Sequence, residues 1–90
     1  MRGPPVETLD RAHALIRLGQ VAEAVSLLQP LVQQCPDSLE AWFILGQAQS
    51  ILERQPQAEF AFRQVARLRP DMAEAHFNVA LALAYQNKLR

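Results

Sequence analysis

The 90-residue chain is half apolar and one-fifth charged, which is the composition of a globular domain and not of a disordered chain. Nine basic side chains balance nine acidic ones, so we expect neither a nucleic acid nor a membrane surface as the partner. No apolar run approaches the roughly 20 residues that cross a bilayer, and the single cysteine fits a reducing compartment, so we expect a cytoplasmic protein.

Turn-forming residues divide the chain at regular intervals into five segments with the three-and-four apolar spacing of amphipathic helices. The predicted helices, in chain order, cover about residues 6–18, 21–34, 38–52, 57–68 and 72–87. Pro30 lies inside the second helix, where we expect a kink and not a break, because the apolar spacing continues through Leu31. Pro56 falls in a first turn, where a missing amide hydrogen costs little.

Two of these helices are preceded by an acidic pair that is typical of a helix start. Asp37 is followed three residues later by Glu40, and Asp71 is followed by Glu74. An aspartate before a first turn can accept its amide hydrogens while the glutamate reaches back to the cap. The sequence therefore predicts capping boxes at Asp37 and Asp71.

A shift of 34 residues superimposes much of the chain on itself, which indicates a stack of equivalent units. The matched pairs are Ala24 with Ala58, Pro36 with Pro70, Asp37 with Asp71, Glu40 with Glu74, and Phe43 with Phe77. Connections of about three residues force neighbouring helices to run antiparallel, so each unit is predicted to be a helical hairpin. The predicted fold class is all-α.

The second unit carries a pattern that resembles the tetratricopeptide repeat, whose signature is W-x2-L-G-x2-Y, then A-x3-F, then P. The matching residues are Trp42, Leu45, Gly46, Ala58, Phe62 and Pro70, with Gln49 in place of the tyrosine. The resemblance implies a right-handed solenoid with repeats at 5–38 and 39–72 and a partial repeat at 73–90. It also implies a non-catalytic scaffold that binds a peptide or protein segment.

In this family the first helix of each hairpin lines the concave side, where the resemblance places a peptide-binding groove. The implied groove residues are Leu9, His13, Arg17, Phe43, Gln47, Ile51, Phe77, Asn78, Leu81 and Tyr85. Phe43 and Phe77 lie one period apart and would stand on adjacent rungs of the groove. Packing between neighbouring helices is the alternative for these two aromatic rings, and the sequence leaves both open.

Nothing in the sequence predicts an enzyme, a metal site or a cofactor. His13 and His76 lie nearly two repeats apart, and His76 takes the place of Trp42 in the repeat, which favours a packing role. Two alternatives stay open: the amino-terminal part of a larger bacterial enzyme, or a self-assembling structural module. Because the third unit has one helix, we expect self-association through the last helix, from Phe77 to Tyr85.

Overall fold

The computed structural model describes residues 4–88, and these residues form five α-helices and no strand. The helices are α1 (Val6–Arg17), α2 (Val21–Gln34), α3 (Leu39–Ile51), α4 (Gln55–Leu68) and α5 (Ala73–Lys88). The predicted all-α fold class is therefore confirmed. Each helix begins and ends within about two residues of its predicted bounds, and α2 continues through Pro30. None of these described helices is long and apolar enough to cross a membrane.

The helices form a layered stack in which each one packs against the next in the chain. α1 also contacts α3, whereas α2 and α4 have little direct contact with each other. The stack measures 38 × 30 × 18 Å along its principal axes. As a result, α3 lies in the middle of the molecule, with α1 and α2 before it and α4 after it.

Small residues allow the helices to approach closely in the centre of this stack. Gly46 of α3 faces the ring of Phe62 on α4, and a Cβ atom at Gly46 would lie 2.8 Å from that ring. Such a distance is far shorter than an ordinary carbon–carbon contact, so a side chain at this position requires the helices to move apart. Ala58 of α4 is also fully buried. α3 and α4 thus come into close contact at Gly46.

The turns inside the two hairpins have the same backbone geometry, although their sequences differ. Gly19 has a φ of 81°, and Glu53, which lies one period later, has a φ of 60°. The amide of Gln20 donates to the Leu15 carbonyl at 2.8 Å, and the amide of Arg54 donates to the Gln49 carbonyl at 2.9 Å. These bonds satisfy carbonyls at the helix ends, as in the common glycine-terminated helix. Glu53 adopts this left-handed conformation without being glycine.

The predicted capping boxes at Asp37 and Asp71 are not present. α3 is capped by Ser38, whose Oγ accepts the amide hydrogen of Ala41 at 3.2 Å, one residue later than predicted. The Asp71 carboxylate accepts from its own backbone amide and from Arg69 Nε at 3.3 Å, and these bonds lower its pKa. Aspartate and serine are equally good caps, so the sequence pattern could not decide between neighbouring residues.

Candidate functional site

The inner side of the stack contains an open cavity of about 380 Å³, which we call the inner groove. Its lining comes from α1, α3, α4 and α5, and no residue of α2 contributes. The lining residues are Ile16, Gln47, Ser50, Ile51, Gln55, Phe62, Glu74, Asn78, Leu81, Ala82 and Tyr85. A volume of this size lies within the range of sites that bind small molecules or short peptide segments.

Helical spacing explains why these side chains point into the same space. On α3, Gln47 is followed at three and four residues by Ser50 and Ile51. Leu81 and Tyr85 repeat the four-residue spacing on α5. Residues spaced in this way lie on one face of a helix, so α3 and α5 form two walls of the groove.

A second cavity of about 490 Å³ extends the inner groove towards the end of α5. The two cavities share Ser50, Ile51, Gln55 and Tyr85, and the second adds Glu53 and Lys88. Glu74 lies in the first turn of α5 and Lys88 in its last, about 20 Å apart along the helix axis. The groove therefore has an acidic residue at one end and a basic residue, with Glu53 nearby, at the other.

The middle of the groove is apolar and accessible. Ile51 and Leu81 are exposed, and the Tyr85 side chain is 48% exposed. Lys88 Nζ lies 5.9 Å from the centroid of the Tyr85 ring, within the range of a cation–π contact. Contiguous exposed apolar side chains on a small protein commonly mark a binding surface.

Gln55 adds a polar group to this apolar surface. It begins α4, is almost fully buried, and lines both cavities. A carboxamide both donates and accepts, so Gln55 can bond to a peptide group in the groove.

The structure brings half of the predicted groove residues to this cavity. The five are Gln47, Ile51, Asn78, Leu81 and Tyr85. Leu9 instead lies in the hydrophobic core. Phe43 is half-buried and packs edge-on against Phe62, with the ring centroids 5.7 Å apart. The sequence left two interpretations of Phe43 open, and the structure shows it packed between neighbouring helices.

The remaining three predicted residues, His13, Arg17 and Phe77, are exposed but lie outside the cavity. Phe77 is 62% exposed, although it corresponds to the covered Phe43 one period earlier. The cause is a difference in neighbours: Phe62 of α4 covers Phe43, and no described helix covers α5 in that way.

The ten predicted groove residues omit six that line the cavity, which are Ile16, Ser50, Gln55, Phe62, Glu74 and Ala82. Phe62 was interpreted as core, and it is indeed 96% buried, but one side of its ring also reaches the groove. Gln55 belongs to a second helix of a hairpin, and the expectation was limited to first helices. Its position directly after a tight turn, where a helix starts beside the groove, is the signal that would have identified it.

His76 has a structural environment that matches its place in the repeat. Its Nε2 lies 2.7 Å from the Pro70 carbonyl oxygen. One period earlier, Trp42 Nε1 donates to the Pro36 carbonyl at the same 2.7 Å. Among the described residues, no three His, Cys, Asp or Glu side chains are grouped so that they could hold a metal ion. His76 thus makes the same contact between helix and linker as the tryptophan.

A stack of antiparallel helical hairpins with a groove along its first helices defines a helical-repeat protein of the solenoid class. The comparison with protein families specifies the kind of repeat: the family described as "Tetratricopeptide repeat" matches residues 5–48. This match supports the resemblance of the chain to the tetratricopeptide repeat family. Members of this family generally mediate protein–protein interactions and are typically non-catalytic scaffolds.

Proposed function

We propose that this protein is a non-catalytic scaffold that binds a peptide or protein segment in the inner groove. The observation that carries the proposal is the exposed apolar strip of Ile51, Leu81 and Tyr85 inside one continuous cavity. Covering such side chains removes apolar area from water, which contributes about 25 cal/mol per Å². The partner segment therefore supplies apolar anchors.

The polar groups around this strip suit a polypeptide ligand. Gln47, Asn78 and Gln55 carry carboxamides, which can pair with both the N–H and the C=O of a peptide group. Glu74 and Lys88 lie at opposite ends of α5 and favour opposite charges on the bound segment. We therefore propose a segment with apolar residues in its middle, a basic residue near Glu74 and an acidic residue near Lys88.

A peptide-display selection with the purified chain tests this proposal. Peptides enriched on the wild type are then measured against the variant Leu81→Ala/Tyr85→Ala, whose changed residues both line the groove and are exposed. We expect binding to weaken at least about tenfold, because two apolar contacts are lost. Phe77→Ser is the matched control, since Phe77 is exposed on the same helix but lies outside the groove.

Circular dichroism checks that all three proteins have the same helix content. If the enriched peptides bind the double variant and the wild type equally, the inner groove is not their site. If they lose binding only to Phe77→Ser, the binding surface lies on the other side of α5.

We further propose that the protein self-associates through α5. Phe77 and Leu83 are exposed apolar residues outside the inner groove, and no described helix covers them. Sedimentation equilibrium of the wild type and of Phe77→Ser/Leu83→Ser tests this. We expect a concentration-dependent increase in mass that the variant reduces. A wild type that stays monomeric over a wide concentration range contradicts the proposal.

We also propose, from the 34-residue period, that the repeats divide at 5–38, 39–72 and 73–90. Cytoplasmic localisation is part of the same proposal and is supported by the single cysteine, Cys35, which is free in the structure.

A further inference from the structure

The exposed apolar side chains of this protein are concentrated on α5. Within residues 4–88, eight large apolar side chains are exposed, and four of them lie on this one helix. The four are Phe77, Leu81, Leu83 and Tyr85. Among the described helices α5 packs mainly against α4, so its outer side has no covering helix. Exposed apolar side chains gathered in this way are typical of a surface that binds another protein.

Helical spacing gives the outer side of α5 a regular pattern. Ala73, Ala80 and Asn87 follow one another at intervals of seven residues, which keeps them on one line along the helix. Phe77 and Leu83 flank that line, one on each side, at three residues from Ala80. All five are exposed, and we call them the α5 face. A small residue at its centre and large apolar residues beside it allow a second helix to approach closely.

The other end of the stack is poorly matched to the α5 face. The exposed apolar residues there, Val6 and Leu18, lie at opposite ends of α1. Between them the side chains of Asp10, Arg11 and Arg17 are exposed, and covering these charges with apolar groups costs free energy. The two remaining exposed apolar side chains lie singly on α3 and α4. Within the described residues, the best apolar match for α5 is therefore α5 of a second copy.

Two charged residues beside the α5 face determine the direction of this pairing. Glu74 lies in the first turn of α5 and Lys88 in its last, two intervals of seven residues apart and hence on the same edge of the helix. Antiparallel helices place Glu74 of each copy beside Lys88 of the other. Parallel helices instead bring Glu74 next to Glu74 and Lys88 next to Lys88. Complementary charge thus favours the antiparallel pair.

We propose that two copies of this protein form a closed, two-fold dimer whose α5 helices run antiparallel and cross near Ala80. Phe77 of each copy packs over the small, exposed Ala84 of the other copy. Because both copies use the same face, the contact closes on itself and does not extend into a filament. This inference rests on the self-association proposed for α5, and it specifies the partner surface and its geometry.

The size of the contact indicates a reversible dimer. α5 has 16 residues and is about 24 Å long. A pair of such helices buries less than the roughly 800 Å² per partner of a standard stable interface. We expect a dissociation constant on the order of 100 μM. The exposed ion pairs contribute little affinity and mainly select the direction of the helices.

Disulfide formation between single-cysteine variants tests the geometry. Cys35→Ser removes the free cysteine, and Ala73→Cys and Asn87→Cys are made separately in that background. In the antiparallel dimer, position 73 of one copy lies beside position 87 of the other. In a glutathione buffer, a mixture of the two variants should therefore yield at least about ten times more of the mixed disulfide than of either homodisulfide.

Val6→Cys in the same background is the matched control. Val6 is as exposed as the residues of the α5 face but lies on α1, so this variant should not form a mixed disulfide with Asn87→Cys above the background level. Mass spectrometry identifies each disulfide-linked species. Circular dichroism verifies the fold, which exposed substitutions of this kind should preserve.

A charge reversal measured by sedimentation equilibrium tests the direction independently. Glu74→Lys brings two lysines together at both ends of the antiparallel dimer and should weaken association about fivefold. Adding Lys88→Glu restores opposite charges and should return the affinity to within about twofold of the wild type. Parallel helices predict no loss for Glu74→Lys, because like charges meet before and after the change.

The outcomes separate this inference from the proposal on which it rests. Association that accompanies mostly homodisulfides, or species heavier than two copies, would overturn the antiparallel dimer and leave self-association through α5 standing. A wild type that stays monomeric at millimolar concentration would overturn both. Excess mixed disulfide together with recovery of affinity in Glu74→Lys/Lys88→Glu would support the dimer as described.

Discussion

α3 and α5 are the same helix of the repeat, one period apart, yet they are buried to very different extents. Seven residues of α3 are buried, and only Ala75 and Ala82 are buried in α5. Those two alanines correspond to Ala41 and Ala48, which are fully buried in α3. Among the described helices, α3 packs against α1, α2 and α4, whereas α5 packs mainly against α4.

The comparison teaches that the register alone does not determine the environment of a residue in a stack. Each unit buries one face on the unit before it and another face on the helix after it. Trp42 and His76 bond to equivalent carbonyls, but Trp42 is buried and His76 is exposed. Substitutions at matched positions in α3 and α5 therefore measure how much the additional neighbours of α3 contribute to stability.

Among the matched substitutions, the largest difference in the free energy of unfolding is expected between Trp42→Ala and His76→Ala. Trp42→Ala should lower the free energy of unfolding by about 4 kcal/mol, because a large buried ring is lost. His76→Ala should lower it by about 1 kcal/mol, the value of one partly exposed hydrogen bond. Urea denaturation followed by circular dichroism measures both. Equal losses would mean that α5 is as tightly packed as α3.

The second largest difference in stability is expected between substitutions at Gly46 and at Ala80, which lie one period apart. Gly46→Leu should cost about 3 kcal/mol, because even its Cβ would lie 2.8 Å from the Phe62 ring. Ala80→Leu should change stability by less than about 0.5 kcal/mol, since Ala80 is exposed. Thermal unfolding of the two variants gives the comparison. A large loss for Ala80→Leu would show that another surface packs against this face of α5 in solution.

The smallest effect concerns the contact that holds the end of α5 to α4. Gln86 Nε2 donates to Glu59 Oε1 at 2.8 Å, and Arg63 bonds to the other carboxylate oxygen at 2.7 Å. Both bonds lower the pKa of Glu59 below its ordinary value of 4.5, with Gln86 as the larger cause. Folding thus gains stability from the ionised carboxylate at pH values above 4.5, and this gain is lost as the pH falls through the lowered pKa.

Gln86→Leu should therefore reduce the loss of stability on acidification by less than about 0.5 kcal/mol. Urea denaturation of the wild type and the variant at a series of pH values measures the difference. Glu59→Gln is the control that removes the titrating group. An identical pH dependence in the wild type and in Glu59→Gln would show that this contact does not form in solution.

Much of the fold follows from the sequence because period and turn spacing are local signals. The 34-residue repeat and the place of His76 were both predicted from the registers of single residues. The cap of α3 was predicted wrongly. Asp37 and Ser38 both have side chains that can cap a helix, and which of them does so depends on the residue at which the helix begins.

The inner groove was predicted less completely because it depends on contacts between distant parts of the chain. Leu9 is buried because α1 packs against both α2 and α3, and Phe43 is covered by Phe62, 19 positions later in the sequence. Helical spacing identifies a face of a helix, but only the assembled stack determines which part of that face stays open.

The paired turns at Gly19 and Glu53 have a consequence for how such repeats are recognised. Main-chain hydrogen bonds build both turns, and the second turn forms without the glycine that ordinarily supplies a left-handed residue. A hairpin can therefore persist after its most recognisable turn residue has been replaced. When a search for further repeats meets a segment of the right length without that glycine, the missing residue is no reason to end the array there.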